Sequence, residues 1–371
     1  MTGPQVSAIA ASHRPLRIAQ VAPPVERVPP MAYGGTERIV HELSRELAAR
    51  GHEVVLFASG DSEAPGRHVH TVPISLRAAN LDVDPSAAYL RTIQAVLADE
   101  DSVDVIHTHL DFWNAPLARA ARRPVVATFH GRLDYPDVAA VLAGLPAHLV
   151  AISRAHAEQP SGVQFDSVVY NGLSLQDMPF GNTPTEDLVF VGRMTPDKGI
   201  VDAIEVARLS GRRLRIVAKE PYLQDERDYY EAEVRPALQR ADVEELGELG
   251  QDDRDRVLAS SFALVMPSVW PEPFGLTAIE AMACGTPVVA RPSGAIPELV
   301  REGRDGFLGS DAREMAAALE QVGSLDRERI RREVIDRFSA SRMADRYEEI
   351  YRAVLADPAD RSAVVASDAA A

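Results

Sequence analysis

Cysteine is almost missing from this sequence, since Cys284 is the only one in 371 residues. A single cysteine excludes an intramolecular disulfide framework and any metal site built from several cysteines, and it is consistent with a reducing cytosol. No stretch approaches the roughly 18 uninterrupted apolar residues that a membrane span needs. The apolar run at residues 6–11 is too short for a signal sequence, so we expect a cytoplasmic protein without a leader.

Positive charge is also scarce. Lys and Arg number 39 against 55 Asp and Glu, which gives a formal net charge of −16. A surface field of this sign repels polyanions and counts against nucleic acid as a partner. Only two of the basic residues are lysines, Lys198 and Lys219. They either remain from a codon bias toward arginine or serve tasks that need a compact ammonium group.

What the sequence does contain is a repeated alternation of short apolar runs and helical spacers. Such an alternation is typical of βαβ units and predicts an α/β protein with doubly wound parallel sheets. We predict strands over residues 16–22, 53–58, 103–107, 125–129, 148–152, 188–191, 214–218, 263–266 and 287–290.

A shift in composition divides the series into two halves. Residues 178–187 are rich in Pro, Gly, Asn, Thr and acidic residues, as at a boundary between domains. We therefore predict one Rossmann-like domain over residues 15–180 and a second over 181–341. The terminal residues 1–14 and 357–371 are expected to be disordered.

Ligands of doubly wound sheets bind beyond the carboxyl ends of the strands, so residues after each strand are candidate site residues. Gly34 and Gly35 follow the first strand at the start of a helix, where the backbone can approach an anion; an ordinary turn is the alternative. Arg193 and Lys198 lie in a glycine-bounded loop before a helix, and two cations there suit a diphosphate, unless the loop is a solvated turn.

A third segment carries two glutamates, one on each side of a helix start. Glu272 lies in the loop after the strand at 263–266, whereas Glu280 lies about two turns inside the following helix, which is too far for a shared proton. Glu280 is flanked by apolar residues and needs a partner if it is buried. The backbone N–H groups that begin this helix belong to Phe274, Gly275, Leu276 and Thr277.

These glutamates lie in PEPFGLTAIEAMACGTPVVA, which resembles the signature of the family 4 glycosyltransferases, retaining enzymes of the GT-B fold. The segments YGGTERIVHELSRELAARGHEV, VDVIHTHLDF, VVATFHG, VYNG, VGRMTPDKG and PSGAIPELVREGRDGFL also resemble that family, in the expected order. The resemblance runs from about residue 16 to 355. It implies two Rossmann-like domains that face each other across a cleft, and a terminal helix over 342–355 that completes the first domain.

The resemblance also implies roles for the candidate residues. Gly34 and Gly35 would approach the donor diphosphate, Arg193 and Lys198 would neutralise it, and Glu280 would accept hydrogen bonds from the ribose hydroxyls. Glu272 with the amides of Phe274, Gly275 and Leu276 would hold the hydroxyls of the transferred sugar, and Thr277 would also belong to the donor site. His130, after the strand at 125–129, would lie near the anomeric centre. Lys219 matches a lysine found at some donor sites.

The expected reaction is retaining transfer of a sugar from a nucleotide diphosphate donor, a UDP- or GDP-sugar, to an acceptor hydroxyl. Charge develops on the departing diphosphate, so preorganised cations should stabilise the transition state without a metal or another cofactor. The acidic pairs at 82–84 and 253–255 do not follow strand ends, and we reject them as metal sites. A phosphorylase, a nucleotide-sugar epimerase and a non-catalytic sugar-nucleotide binding module are the alternatives.

Three further features leave alternatives open. His107 and His109 alternate at a strand end and either bind a metal or, as we favour, line the crevice. His130 is either a catalytic or a core histidine. Arg119, Arg122 and Arg123 form either a solvated helix end or a contact for an anionic acceptor or a membrane. The sequence does not identify the acceptor, the donor base and sugar, or the oligomeric state.

Overall fold

Each of the nine predicted apolar runs forms a β-strand in the computed structural model, which describes residues 14–31, 34–79, 84–160, 162–219, 221 and 223–356. The predicted disordered termini lie outside these ranges, apart from Arg14. The described chain divides into two units. The first comprises the described residues up to Ile152, Ala157–Gly172 and the described residues from Ala340 onward; the second comprises Ser153–His156 and Leu173–Ser339.

The first unit is built on a parallel sheet. Its strands are β1 (Arg17–Val21), β2 (Glu53–Ala58), β3 (Arg67–His70), β4 (Val105–Thr108), β5 (Val125–Thr128), β6 (His148–Ala151) and β7 (Ser167–Val168). The strand order is β3-β2-β1-β4-β5-β6-β7, and Ile18 of β1 lies opposite Val54 on one side and Val105 on the other. The inner strands are buried along nearly their whole length because both faces of a parallel sheet are covered.

Helices connect these strands. They are α1 (Gly35–Ala49), α2 (Ser86–Asp99), α3 (Asn114–Ala120), α4 (Val138–Leu142) and, at the division between the units, α5 (Arg154–Glu158). In α1, Ile39, Val40, Leu43 and Leu47 recur with helical spacing and are fully buried.

The second unit repeats the pattern with a six-stranded parallel sheet of order β10-β9-β8-β11-β12-β13. Its strands are β8 (Leu188–Arg193), β9 (Leu214–Lys219), β10 (Val243–Gly247), β11 (Ala263–Met266), β12 (Val288–Ala290) and β13 (Gly306–Leu308). Its helices are α6 (Ile200–Ser210), α7 (Gln224–Tyr229), α8 (Arg235–Leu238), α9 (Gln251–Ser260), α10 (Leu276–Ala283), α11 (Ile296–Leu299), α12 (Ala312–Val322) and α13 (Arg327–Phe338). A π-helical turn, Tyr230–Val234, joins α7 to α8.

The last described helix, α14 (Ala340–Ala356), returns to the first unit, where it packs on α1 and buries Tyr347 and Tyr351. Apart from the short stretch Ser153–His156, the second unit begins at Leu173, whereas the predicted boundary is 180, because the segment after Leu173 packs on α13. The N–H of Leu173 donates to the carbonyl of Phe338 across 3.1 Å, and Arg331 donates to the carbonyl of Met178 across 2.9 Å.

Two parallel, doubly wound Rossmann-like sheets confirm the predicted fold class. Among the described residues, no helix combines the length and the apolar composition required to cross a bilayer.

Candidate active site

Lys198 and Glu272 lie together at the carboxyl end of the second sheet. Nζ of Lys198 donates to Oε1 of Glu272, and Ser268 Oγ and Trp270 Nε1 donate to the same oxygen across 3.0 and 2.9 Å. Nζ also lies 4.6 Å from the centre of the Trp270 ring, within range of a cation–π contact. We call these four residues the Lys198 cluster. Because Glu272 is only 5% exposed, its carboxylate holds the ammonium group in one place.

Local geometry fixes the loop that carries Lys198. Residues Pro196–Lys198 form one 3-10 turn, and Gly199 closes it with a positive φ of 70°. A Cβ at Gly199 would lie 2.4 Å from the carbonyl oxygen of Pro267, directly after β11. The glycine therefore permits the Lys198 loop to approach the Glu272 loop closely.

Two further cations lie on neighbouring strands. Arg193, the last residue of β8, is opposite Lys219, the last residue of β9, in the parallel ladder. Neighbouring strands are about 4.8 Å apart, so the two side chains start from adjacent positions. Arg193 forms ion pairs with Asp197 at 3.2 Å and Glu226 at 3.5 Å. The carboxyl ends of β8 and β9 thus carry three positive groups in all, two of them the only lysines of the sequence.

Helix α10 begins beside the Lys198 cluster. Its N-cap, Gly275, has a φ of 109°, and a Cβ there would lie 3.0 Å from Ile296 Cδ1. Phe274 is buried and packs edge-on against Phe338, which anchors the start of the helix. The first N–H groups of a helix have no intrahelical acceptor and attract anions, so the amides of Leu276 and Thr277 suit a negatively charged ligand.

Gly294, a residue that sequence reasoning missed, supports Glu272 from behind. It has a φ of 57°, and a Cβ there would lie 2.3 and 2.4 Å from the carbonyl oxygen and the nitrogen of Glu272. The N–H of Ala295 donates to the same carbonyl across 2.9 Å. The loop after β12 therefore determines the position of Glu272.

Glu280 lies inside α10 and is 2% exposed. The partner that its burial requires is Arg254 of α9, whose Nη2 donates to Glu280 Oε1 across 2.8 Å. Arg254 also donates to Asp255 Oδ1 across 2.7 and 3.0 Å. Burial lowers the pKa of Arg254, but the Glu280 and Asp255 carboxylates outweigh it and raise that pKa above its ordinary value. Glu280 and Glu272 thus have different cationic partners.

In the first unit, the paired glycines begin α1. Gly34 is the N-cap with a φ of 155°, where a Cβ would lie 2.7 Å from Pro30 Cβ, and Gly35 is the first helical residue. Glu37, in the first turn, was not predicted as a site residue. It is buried, its Oε2 would lie 3.2 Å from that added Cβ, and burial raises its pKa to about 7.

His130 follows β5 in the same unit. The backbone N–H of His130 donates to Asp111 Oδ1 across 2.8 Å, and the backbone N–H of Gly131 donates to the same oxygen across 3.1 Å. In the His130 ring, Nε2 lies 2.9 Å from Nδ1 of His109. Asp111 has a positive φ of 49°, rare for a residue with a side chain, so the loop after β4 is shaped to reach His130.

Comparison with known proteins identifies both halves of the chain. Residues 33–177 match the family described as Glycosyltransferase Family 4, and residues 179–337 match the family described as Glycosyl transferases group 1. This chain belongs to the family 4 glycosyltransferases of the GT-B fold. The predicted family and enzyme class are confirmed.

Similar proteins cover nearly the whole glycosyltransferase. A phosphatidyl-myo-inositol mannosyltransferase of Mycolicibacterium smegmatis is 28% identical over 90% of this chain and 90% of its own length. The crystal structure of AviGT4, a glycosyltransferase involved in avilamycin A biosynthesis, has a TM-score of 0.70 and 27% identity over 92% of this chain and 98% of that one. The crystal structure of the Anabaena protein HepE in complex with UDP-glucose has a TM-score of 0.69 and 20% identity, and the match covers 91% of this chain and 100% of that one.

The prediction for His107 and His109 is wrong. His107 and His109 do not line a crevice, because both are fully buried. Nδ1 of His107 lies 2.6 Å from the hydroxyl of Tyr351, so the return of α14 covers it. Within the described ranges, no group of three or more His, Cys, Asp or Glu side chains is arranged to hold a metal ion.

The other surface motifs of the glycosyltransferase have local partners. Arg122 forms ion pairs with Glu100 and Asp101, both at 3.0 Å, which neutralise part of the predicted basic cluster. Asp255 of the second acidic pair is paired with Arg254, as described above. Asp82 of the first acidic pair lies outside the described residues.

Proposed function

We propose that this glycosyltransferase transfers a sugar from a nucleotide diphosphate sugar to an acceptor hydroxyl with retention of the anomeric configuration, without a metal. The observation that carries the proposal is the convergence of cations and helix amides at one end of the second sheet. Lys198 is held by Glu272, whose loop leads into α10, and Arg193 ends β8 opposite Lys219 of β9. This is the charge distribution that a departing diphosphate requires.

The proposed step is a front-face displacement. The bond from the anomeric carbon to the β-phosphate oxygen breaks, and its electron pair remains on the diphosphate. The acceptor oxygen bonds to the anomeric carbon on the same face, and its proton passes to the departing phosphate oxygen. Arg193 and Lys198 stabilise the negative charge as it develops, so they lower the barrier more than they strengthen ground-state binding.

The remaining candidate residues orient the donor. Glu272, fixed by three donors on Oε1, would hold hydroxyls of the transferred sugar together with the amides of Phe274, Gly275 and Leu276. Glu280, charged beside Arg254, would accept the ribose hydroxyls. In the first unit, Gly34 and Gly35 would approach the diphosphate and His130 would act near the anomeric centre, as the family resemblance implies.

The relatives differ in what their names say of sugar and acceptor: one is a mannosyltransferase of phosphatidyl-myo-inositol, and HepE is seen with UDP-glucose. We therefore propose a UDP- or GDP-sugar as donor and leave the acceptor as a hydroxyl compound. A screen of nucleotide sugars by thermal shift selects the donor, because a ligand at 100 times its dissociation constant adds roughly 2.7 kcal/mol of stability.

The test is incubation of the purified protein with the selected donor, with and without EDTA, followed by NMR of the sugar and chromatography of the nucleotide. We expect slow release of nucleoside diphosphate, unchanged by EDTA, and a first-formed sugar with the donor's anomeric configuration. Lys198→Ala measures the background. Inversion or a requirement for metal would overturn the mechanism. Formation of a sugar phosphate from inorganic phosphate would indicate a phosphorylase. An epimerised donor would indicate an epimerase, and donor binding without any turnover would indicate a binding module.

A further inference from the structure

His130 is connected to a buried chain of hydrogen bonds through His109. Nδ1 of His109 lies 2.9 Å from Nε2 of His130, and Nε2 of His109 lies 3.0 Å from Oε1 of Gln20. Both Gln20 and His109 are fully buried in the first unit. Each ring nitrogen of His109 is therefore engaged by one polar partner, and a neutral imidazole has one donor and one acceptor to offer them.

The partners determine the direction of these hydrogen bonds. The amide oxygen of Gln20 only accepts, so Nε2 of His109 carries the proton and donates. Burial, together with the neighbouring rings of His107 and His130, lowers the pKa of His109 well below its ordinary value, so the ring is neutral near pH 7. Nδ1 of His109 then has a lone pair and accepts. The donor to it is Nε2 of His130.

The amide nitrogen of Gln20 continues the chain on the far side. It donates to the hydroxyl of Tyr351 across 3.1 Å and lies 3.4 Å from Nδ1 of His107. The same hydroxyl lies 2.6 Å from Nδ1 of His107, whose Nε2 lies 2.8 Å from Oγ1 of Thr128. Tyr351 belongs to α14, so this helix contributes a member of the hydrogen-bonded chain.

We propose that His109 is a positioning residue, which fixes the ring of His130 and holds its proton on Nε2, so that Nδ1 carries the lone pair of the neutral ring. His130 then acts on the substrate through Nδ1 as a hydrogen-bond acceptor, and its target is a hydroxyl group of the donor sugar or of the acceptor. The place where His130 acts rests on the proposed function. Its tautomer does not, because it follows from the hydrogen bonds of His109 to His130 and Gln20.

The direct test is 15N NMR of the intact protein labelled at its 10 histidines, near pH 7.5, with the His130 signals assigned by loss in His130→Gln. We expect both His109 and His130 to be protonated on Nε2. A reversed Gln20 amide would reverse every proton of the chain and place both protons on Nδ1. That result would overturn the inference while leaving the proposed function intact.

Kinetics test the positioning role. His109→Phe keeps a ring but no nitrogen, and we expect kcat to fall 10- to 100-fold with less than a threefold change in donor KM. His109→Asn keeps a polar atom near the position of Nδ1 and should recover most of that loss. His148→Phe is the matched control, because His148 is a buried histidine of the same sheet that contacts Ser167 instead.

The outcomes separate the two proposals. If His130→Ala lowers turnover but His109→Phe and the control are equally active, the positioning role is wrong and the proposed function stands. If His130→Ala itself has full turnover, the assignment of His130 under the proposed function fails, and the inference about its action on substrate fails with it. If His109→Phe does not fold, the positioning role is tested by the kcat of His109→Asn relative to wild type and by the His109 and His130 tautomers seen by NMR.

Discussion

Lys198 and Glu272 form an ion pair that joins two strand-to-helix loops of the second unit. The Lys198 side chain is 19% exposed and that of Glu272 only 6%, so the glutamate is the buried anchor and the lysine the group that reaches outward. The ammonium group of Lys198 lies over the Trp270 ring and is paired with Glu272, so its neighbours fix the position of its charge. This arrangement is preorganised for a developing negative charge.

Lys198→Ala and Arg193→Ala should each lower kcat by roughly 100- to 1000-fold, because each removes a charge that stabilises the departing diphosphate. Circular dichroism and the unfolding midpoint should stay close to wild type. Arg208→Ala is the control, since Arg208 pairs with Glu205 on the exposed face of α6. Unchanged rates in both site variants would refute their assigned role.

Glu280→Gln should weaken nucleoside diphosphate binding by about tenfold, the effect of one lost charge-assisted hydrogen bond. The same substitution should leave the affinity for a 2′,3′-dideoxy nucleotide unchanged, because that ligand has no ribose hydroxyl to donate. Titration calorimetry with the two ligands measures this difference, with Glu320→Gln, an exposed glutamate of α12, as the control. Equal losses for both ligands would show that Glu280 has only a structural role.

Gly294→Ala should raise the donor KM at least tenfold, because the new methyl group would displace the backbone of Glu272. Gly211→Ala is a matched control: Gly211 has a similar φ of 67°, but nothing lies within 4 Å of an added Cβ. It should cost about 1 kcal/mol of stability through the strained backbone and leave KM unaltered. Similar KM values in both variants would show that Gly294 does not support donor binding.

Glu37→Gln should change how stability depends on pH. Burial, the nearby Glu26 and Asp111, and the opposing Arg77 leave the pKa of Glu37 at about 7, against 4.5 for an ordinary glutamate. The folded chain binds this proton more tightly than the unfolded chain, so stability is lost as pH rises from 4.5 through 7. Relative to wild type, the free energy of unfolding of the variant should rise by up to about 3 kcal/mol between pH 4.5 and 8, as measured by urea unfolding. A parallel pH dependence of the two proteins would show that Glu37 is not the titrating group.

The sequence predicts the interior of both sheets better than their edges. The four strands that it did not predict, β3, β7, β10 and β13, are the edge strands of the two sheets. Edge strands are short and partly exposed, as the sequence RHVH of β3 illustrates, and they lack the continuous apolar run by which a buried parallel strand is recognised.

For the candidate site, the sequence identified residue types and the strands they follow, but not their partners. The need for a partner of Glu280 follows from its apolar neighbours, whereas its identity as Arg254, 26 residues away in another helix, depends on how α9 packs on α10. The same limit applies to Gly294, whose only signal is its position after a strand. The pairing of His109 with His130 depends on the register of β4 and β5.

The most direct measurement is the affinity of the protein for a nucleoside diphosphate and for the corresponding monophosphate, by titration calorimetry, in wild type and in Lys198→Ala. We predict that wild type prefers UDP to UMP, or GDP to GMP, by at least about 100-fold, and that Lys198→Ala loses most of this preference. If wild type shows no such preference, or Lys198→Ala keeps it in full, Lys198 does not bind the diphosphate.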